Sequence, residues 1–129
     1  MPDGFVLESK KIPSPYALNR LLSKCNQVTH PPAKLALALQ KSDCHLSILD
    51  TANGNLAGFV RVTSDKGLNA NLWNIAALPG SYQSQLLAVL INRILGILKI
   101  EMPGCSVSVA APDIAIKALQ NEGFLLDPG

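Results

Sequence analysis

An α/β (α+β) fold, with a mixed central sheet and helices on both of its faces, follows from three features of the sequence. Asn53-Gly54 lies between the apolar runs His45–Leu49 and Leu56–Thr63, a strong hairpin signal because glycine takes positive φ cheaply. Leu72–Ile100 begins as an apolar run with β-branched and aromatic residues, breaks at Pro79-Gly80-Ser81 and resumes with helical spacing. It reads as strand, tight loop, helix. Ser106–Ala110 supplies a further strand, and the order strand, helix, strand demands a right-handed crossover and a parallel pair beside the antiparallel meander.

Taken in order, Phe5–Glu8 is a short apolar run and a first strand. Ser14-Pro15 opens a helix, since serine caps well and proline is tolerated at the first helical position. Ala17, Leu18, Leu21, Leu22 and Cys25 form its apolar stripe, and it should stop near Asn26. The linker Val28–Pro32 is fixed by its double proline. Ala33–Lys41 follows as a second helix with Leu35, Ala36 and Leu39 on one side. Strands two and three are His45–Leu49 and Leu56–Thr63; Ser64–Gly67 turns the chain, with Asp65 shaping the turn, and Asn69–Leu78 is strand four. In the helix Gln83–Ile100 the polar positions Gln85, Asn92, Gly96 and Lys99 trace one narrow face, so most of its circumference should be buried. After strand five, Asp113 is placed to cap a last helix and Gly123 to end it. Phe124–Leu126 begins a sixth strand before the sequence stops at Asp127-Pro128-Gly129.

With 129 residues, 48% of them apolar and 16% charged, the chain is one domain over 1–129 with a real core and lacks the composition of a disordered segment. A net charge of +2, with Lys10-Lys11 the densest basic spot, argues for no nucleic acid and no acidic membrane partner. Leu86–Ile100 is shorter than the roughly 20 apolar residues a spanning helix needs. No basic region followed by an apolar run opens the sequence, so no signal peptide is expected. Cys25, Cys44 and Cys105 are odd in number and unevenly spaced, which suits a reducing compartment and a cytoplasmic location. His30 and His45 are too isolated to argue a metal site, and no Ser/His/Asp motif or Walker-type loop is present.

Phe59–Asp65, Asn69–Ile75, Pro79–Gln83, Gly123-Phe124 and Asp127-Pro128, in this order from about Pro32 onward, resemble the GNAT acetyltransferase superfamily, in particular its plastid and cyanobacterial members. The resemblance implies acetyl-CoA as co-substrate and a primary amine, on a small molecule or a protein, as acceptor. It places the pantetheine arm on the main chain of Ile75, Ala76 and Ala77. It places the pyrophosphate on the amides of Gln83, Ser84, Gln85, Leu86, Leu87 and Ala88, where the family pattern is Gln/Arg-x-x-Gly-x-Gly/Ala. Leu86 stands at the glycine position; its side chain either crowds the diphosphate or turns inward and leaves the amides available. Family members continue into a further strand that this sequence lacks.

The resemblance also implies proton-transfer positions: a tyrosine where this chain has Leu119, and an acidic residue where it has Asn74. Asn74 can hydrogen-bond without acting as a base. Tyr82 can donate a proton or simply pack at the loop; Asp65, His45 and Glu122 are titratable, with Glu122 expected at the surface. Trp73 is read as a core aromatic or a substrate-stacking one, and His30 as a surface or cleft residue. Arg61 is read as solvent-facing or as the selector of an anionic acceptor. Two functions follow: acetyl transfer to an amine, or an inactive module of the same fold that binds, regulates or forms a homodimer through an exposed sheet edge.

Overall fold

The computed structural model describes residues 1–126. The elements are β1 (Phe5–Glu8), α1 (Pro15–Lys24), α2 (Pro32–Lys41), β2 (Cys44–Asp50), β3 (Leu56–Ser64), β4 (Asn69–Ala77), α3 (Gln83–Glu101), β5 (Ser106–Val109), a 3-10 turn at Asp113–Ala115 and α4 (Ile116–Asn121). The strands lie in chain order, β1-β2-β3-β4-β5. The β2–β3 and β3–β4 pairings are antiparallel and β4–β5 is parallel, as the sequence predicts, and β1, whose partner the sequence does not specify, pairs antiparallel with β2.

The turns are made by the residues whose chemistry announced them. Gly54 sits at φ +72° and donates to Asp50 O at 2.7 Å, while the Asp50 carboxylate accepts from Ala52 N–H at 2.9 Å. Asp65 Oδ1 accepts from the amides of Gly67, Leu68 and Asn69 at 2.9, 2.8 and 3.1 Å, which closes the β3–β4 turn. Ser14 Oγ caps α1 by accepting from Ala17 N–H at 3.1 Å. Asn26 ends α1 in the left-handed region at φ +57°, and Gln27 N–H reaches back to Leu22 O at 2.9 Å. That is the Schellman arrangement, and asparagine tolerates its left-handed position.

Two cores sandwich the sheet. On one face Leu86, Leu87, Leu90, Ile91, Ile94 and Leu98 of α3 pack on Leu46, Ile48, Val60, Val62, Leu72 and Ile75. At roughly 1.5–3 kcal/mol per buried side chain, those six contacts hold α3 far more strongly than its intrinsic helix propensity. On the other face Leu18, Leu21 and Leu22 of α1 and Leu35 and Leu39 of α2 cover Leu56, Phe59 and Ala76.

Three expectations are corrected. α3 is long and apolar enough to cross a membrane by length and composition, yet its exposed face is wider than one polar stripe: Ala88, Arg93 and Ile100, the last 84% exposed, join Gln85, Asn92, Gly96 and Lys99. The sheet covers α3 from one side only, because α1 and α2 lie on the opposite face. Asp113 does not cap the last helix; Pro112 takes the cap position with no side-chain bond, and a 3-10 turn precedes α4. Gly123 does end it, at φ +95°. Phe124–Leu126 forms no strand, and Asp127–Gly129 lies outside the described residues.

Candidate functional site

β4 and β5 part company halfway along. Their pairing runs from Asn69↔Ser106 to Leu72↔Val109, where β5 ends, whereas β4 continues through Ala77. Trp73–Ala77 therefore presents an edge with no β5 partner. The same stretch carries a bulge against β3: Phe59 faces Ala76 and Arg61 faces Trp73, so Asn74 and Ile75 together oppose Val60. Asn74 adopts φ +56°, a left-handed conformation that asparagine accepts more readily than most residues.

Beyond the bulge, Leu78 N–H donates to Ala57 O at 2.8 Å, so Ala76 and Leu78 turn their main-chain groups to β3 and Ala77 turns its own to the open edge. Side chains reach that edge from two sides. Gln27 Nε2 donates to Ile75 O at 2.9 Å, Gln83 Nε2 to Ala77 O at 2.9 Å and the Cys25 thiol to Ala77 O at 3.1 Å. The Schellman turn of α1 delivers Cys25 and Gln27 there. Burial raises the Cys25 thiol pKa, so it acts as a donor and not as a thiolate.

The loop after β4 delivers α3 beside this opening. Gly80 takes φ +139°, open only to glycine without strain. Gln83 N–H donates to Gly80 O at 3.3 Å and Leu86 N–H to Tyr82 O at 2.9 Å. The amides of Ser84 and Gln85 have no acceptor among the described residues, both residues are exposed, and no side chain caps the helix. The first turn holds no acidic residue. This is an anion-seeking helix start, with unshared donors and the positive end of the macrodipole.

Leu86 resolves the alternative left open by its identity. It is 1% exposed and packs in the α3 core, so it turns inward as an ordinary helix residue. Its amide is committed to Tyr82, and Leu87 and Ala88 lie within the intrahelical ladder. Of the six residues from Gln83 to Ala88, only Ser84 and Gln85 offer free amides; of Ile75, Ala76 and Ala77, the Ile75 carbonyl and the Ala77 main chain face the opening.

The face toward α1 and α2 holds the polar residues. Arg61 is half-buried there, not solvent-facing: Nε donates to Asn74 Oδ1 at 2.6 Å, Nη1 reaches Ser42 Oγ at 3.4 Å, and the guanidinium lies 5.8 Å from the Trp73 ring centre. Burial lowers the Arg61 pKa. Trp73 is 40% exposed and donates to Thr63 Oγ1 at 2.7 Å, so it is no core aromatic. His45 is buried, stacks on Phe59 at 6.1 Å and contacts Lys11 O through Nε2 at 3.0 Å. His30 is fastened to α1 through its main chain, with Asn19 bonding both its N–H and its carbonyl.

Tyr82 is half-exposed and packs edge-on against Phe5 of β1, 5.8 Å between ring centres. β1 is the edge of the sheet remote from β5. Leu119 is buried in the core, and Glu122 is exposed and accepts from Asn92 Nδ2 at 3.1 Å. Sequence reasoning missed Gln27 and Cys25 at the β4 edge. An asparagine just past the α1 stripe was the available sign that the chain turns back there. The alternative of an inactive module drew on Asn74, Leu86 and Leu119; the inward turn of Leu86 removes the obstruction, while Asn74 and Leu119 still offer no acid or base.

No family model matches the chain. The N-acetyltransferase ycf52 of Pyropia yezoensis, itself uncharacterized, is 31% identical over 95% of this chain and 71% of its own length. That of Porphyra purpurea is 28% identical over 99% of this chain and 74% of its own length. A probable acetyltransferase of meticillin-resistant Staphylococcus aureus shares the fold at a TM-score of 0.82 and 21% identity, over 95% of this chain and 92% of that one. With the parted strands and the uncapped helix start in place, these similarities identify the chain as a member of the GNAT superfamily of N-acetyltransferases, and acetyl transfer is the activity that membership supports.

Proposed function

We propose that the chain transfers the acetyl group of acetyl-CoA to a primary amine, using the opening between β4 and β5. The observation that carries the reading is the juxtaposition of an unpaired β4 edge with the free amides of Ser84 and Gln85 at the start of α3. In this reading the Ala77 main chain and the Ile75 carbonyl bind the amides of the pantetheine arm, and Ser84 and Gln85 hold the diphosphate. Gln27 and Gln83, which occupy the β4 carbonyls in the free protein, swing aside or share those acceptors, since a carbonyl has two lone pairs.

An open-edge N–H polarises the thioester carbonyl and steadies the oxyanion that forms on it. The neutral amine attacks that carbon, the C–N bond forms, the C–S bond breaks, and the electron pair leaves with sulfur. Asn74 and Leu119 provide neither base nor acid, so water takes the amine proton and protonates the departing thiolate. Orientation carries the acceleration; holding both reactants in attack geometry is worth roughly 7–11 kcal/mol. The test pairs binding with product. Acetyl-CoA at 100 times its Kd should add about 2.7 kcal/mol of stability, and mass spectrometry of amine mixtures should show a gain of one acetyl group. No thermal shift at millimolar acetyl-CoA refutes the reading.

A further inference from the structure

Resting on the acetyl-transfer reading above, we propose that Arg61 selects acceptor amines that carry an anionic group, carboxylate or phosphate, on the same molecule. A half-buried guanidinium gains from an anionic partner, because each step of desolvating an unpaired cation is costly. Arg61 has none within ion-pair distance among the described residues. Asp43, just ahead of β2, is itself engaged by Lys66 Nζ at 3.5 Å and accepts from Ser64 N–H at 2.7 Å. What holds Arg61 is neutral: the Asn74 amide oxygen, the Ser42 hydroxyl and the face of Trp73.

Its position gives that charge a use. Asn74 lies in the bulge two residues past Leu72, where β5 pairing ends, and one residue before Ile75, whose carbonyl faces the opening. A guanidinium fixed at one end by Asn74 and laid on an indole keeps free N–H donors in a planar fork, the geometry that reads carboxylate or phosphate. The Arg61–Asn74 pair carries a net positive charge, so an acidic acceptor gains by it and a neutral one does not.

The experiment compares 5-aminopentanoate with pentylamine, in two readouts. Trp73 is the only tryptophan in the chain and lies under the guanidinium, so its emission should change saturably with 5-aminopentanoate and not with pentylamine. In acetylation, kcat/KM for 5-aminopentanoate should exceed that for pentylamine at least tenfold. Arg61→Gln should bring the ratio close to one and abolish the emission change. Asn74→Asp, which keeps the bond to Arg61 but neutralises the pair, should do the same in a variant that tolerates the left-handed backbone equally well. Acetyl-CoA thermal shifts on both variants show that they are folded. Either variant keeping the full preference, or a wild type with neither preference nor emission change, overturns the proposal. An Arg61-dependent emission change without acetylation of any amine would uphold the anion site and refute acetyl transfer.

Discussion

Replacing Leu86 with glycine discriminates between a side chain that blocks the diphosphate and one that holds the helix. Leu86 is 1% exposed, in contact with the sheet core, and its amide bonds Tyr82 O whatever side chain it bears. Stripping a buried leucine to alanine costs about 2.7–5 kcal/mol, and glycine in a helix costs about 1 kcal/mol more than alanine. Leu86→Gly should therefore lose about 4–6 kcal/mol. For a chain of 129 residues this is a fall of roughly 12–24 °C in Tm. Urea unfolding followed by far-UV circular dichroism measures the loss, and acetyl-CoA titration at a temperature where both proteins are folded measures affinity. The Kd should change less than about threefold, because the amides of Ser84 and Gln85 are not the ones Leu86 covers. A mutant that binds acetyl-CoA tenfold tighter while losing less than about 1 kcal/mol would show that the side chain faces the ligand, and would refute the reasoning.

Gln27→Ala removes a hydrogen bond to Ile75 O, at a net cost of about 0.5–1.5 kcal/mol, and should tighten acetyl-CoA binding by up to about tenfold if Gln27 competes for that acceptor; calorimetry showing weaker binding would make Gln27 a ligand contact instead. Gly58→Ala places a Cβ 3.1 Å from Leu90 Cδ1 and 3.3 Å from Ile48 Cβ, and the latter cannot swing away; urea unfolding should show a loss of about 1–3 kcal/mol. The Asp65 carboxyl is held below its ordinary value by the amides of Asn69, Gly67 and Leu68. A depressed carboxyl stabilises the fold above its unfolded pKa and stops doing so as pH falls through the folded one, so the stability gap between wild type and Asp65→Asn should be full at pH 6–7 and shrink below about pH 4. Burial first, then the carboxylates of Glu101 and Asp43, push the Cys44 thiol up to about 11; alkylation by iodoacetamide at pH 7.5, read by peptide mass spectrometry, should be slow in the folded protein and fast in urea.

The fold was legible because its signals are local. Asn53-Gly54, Ser14-Pro15 and Pro79-Gly80 each set a turn or a helix start through φ preferences and capping, and those effects act within a few residues. The limits of that legibility are equally physical. Asp113 has the right chemistry for a cap, but Pro112 and a 3-10 turn set the backbone ahead of α4 differently. The width of α3's exposed face depends on what lies above the sheet, which its own periodicity does not report. In the candidate site, the strand–loop–helix stretch located the opening, yet the choice among its amides needed the direction of Leu86 and the register of β3 with β4. The sequence left Arg61 open between a solvent-facing residue and an anion selector and Trp73 between a core and a substrate-stacking aromatic; the register shift at the Asn74 bulge sets the two opposite each other on one face.

The central claim is that the amides of Ser84 and Gln85, with the Ala77 main chain, receive acetyl-CoA. Backbone NMR of the labelled protein during an acetyl-CoA titration tests it residue by residue. The account predicts that the N–H resonances of Ser84, Gln85 and Ala77 move together and saturate at one Kd, with Leu86 N–H moving little. Saturable binding that leaves those three resonances in place, or no binding at millimolar acetyl-CoA, would contradict it.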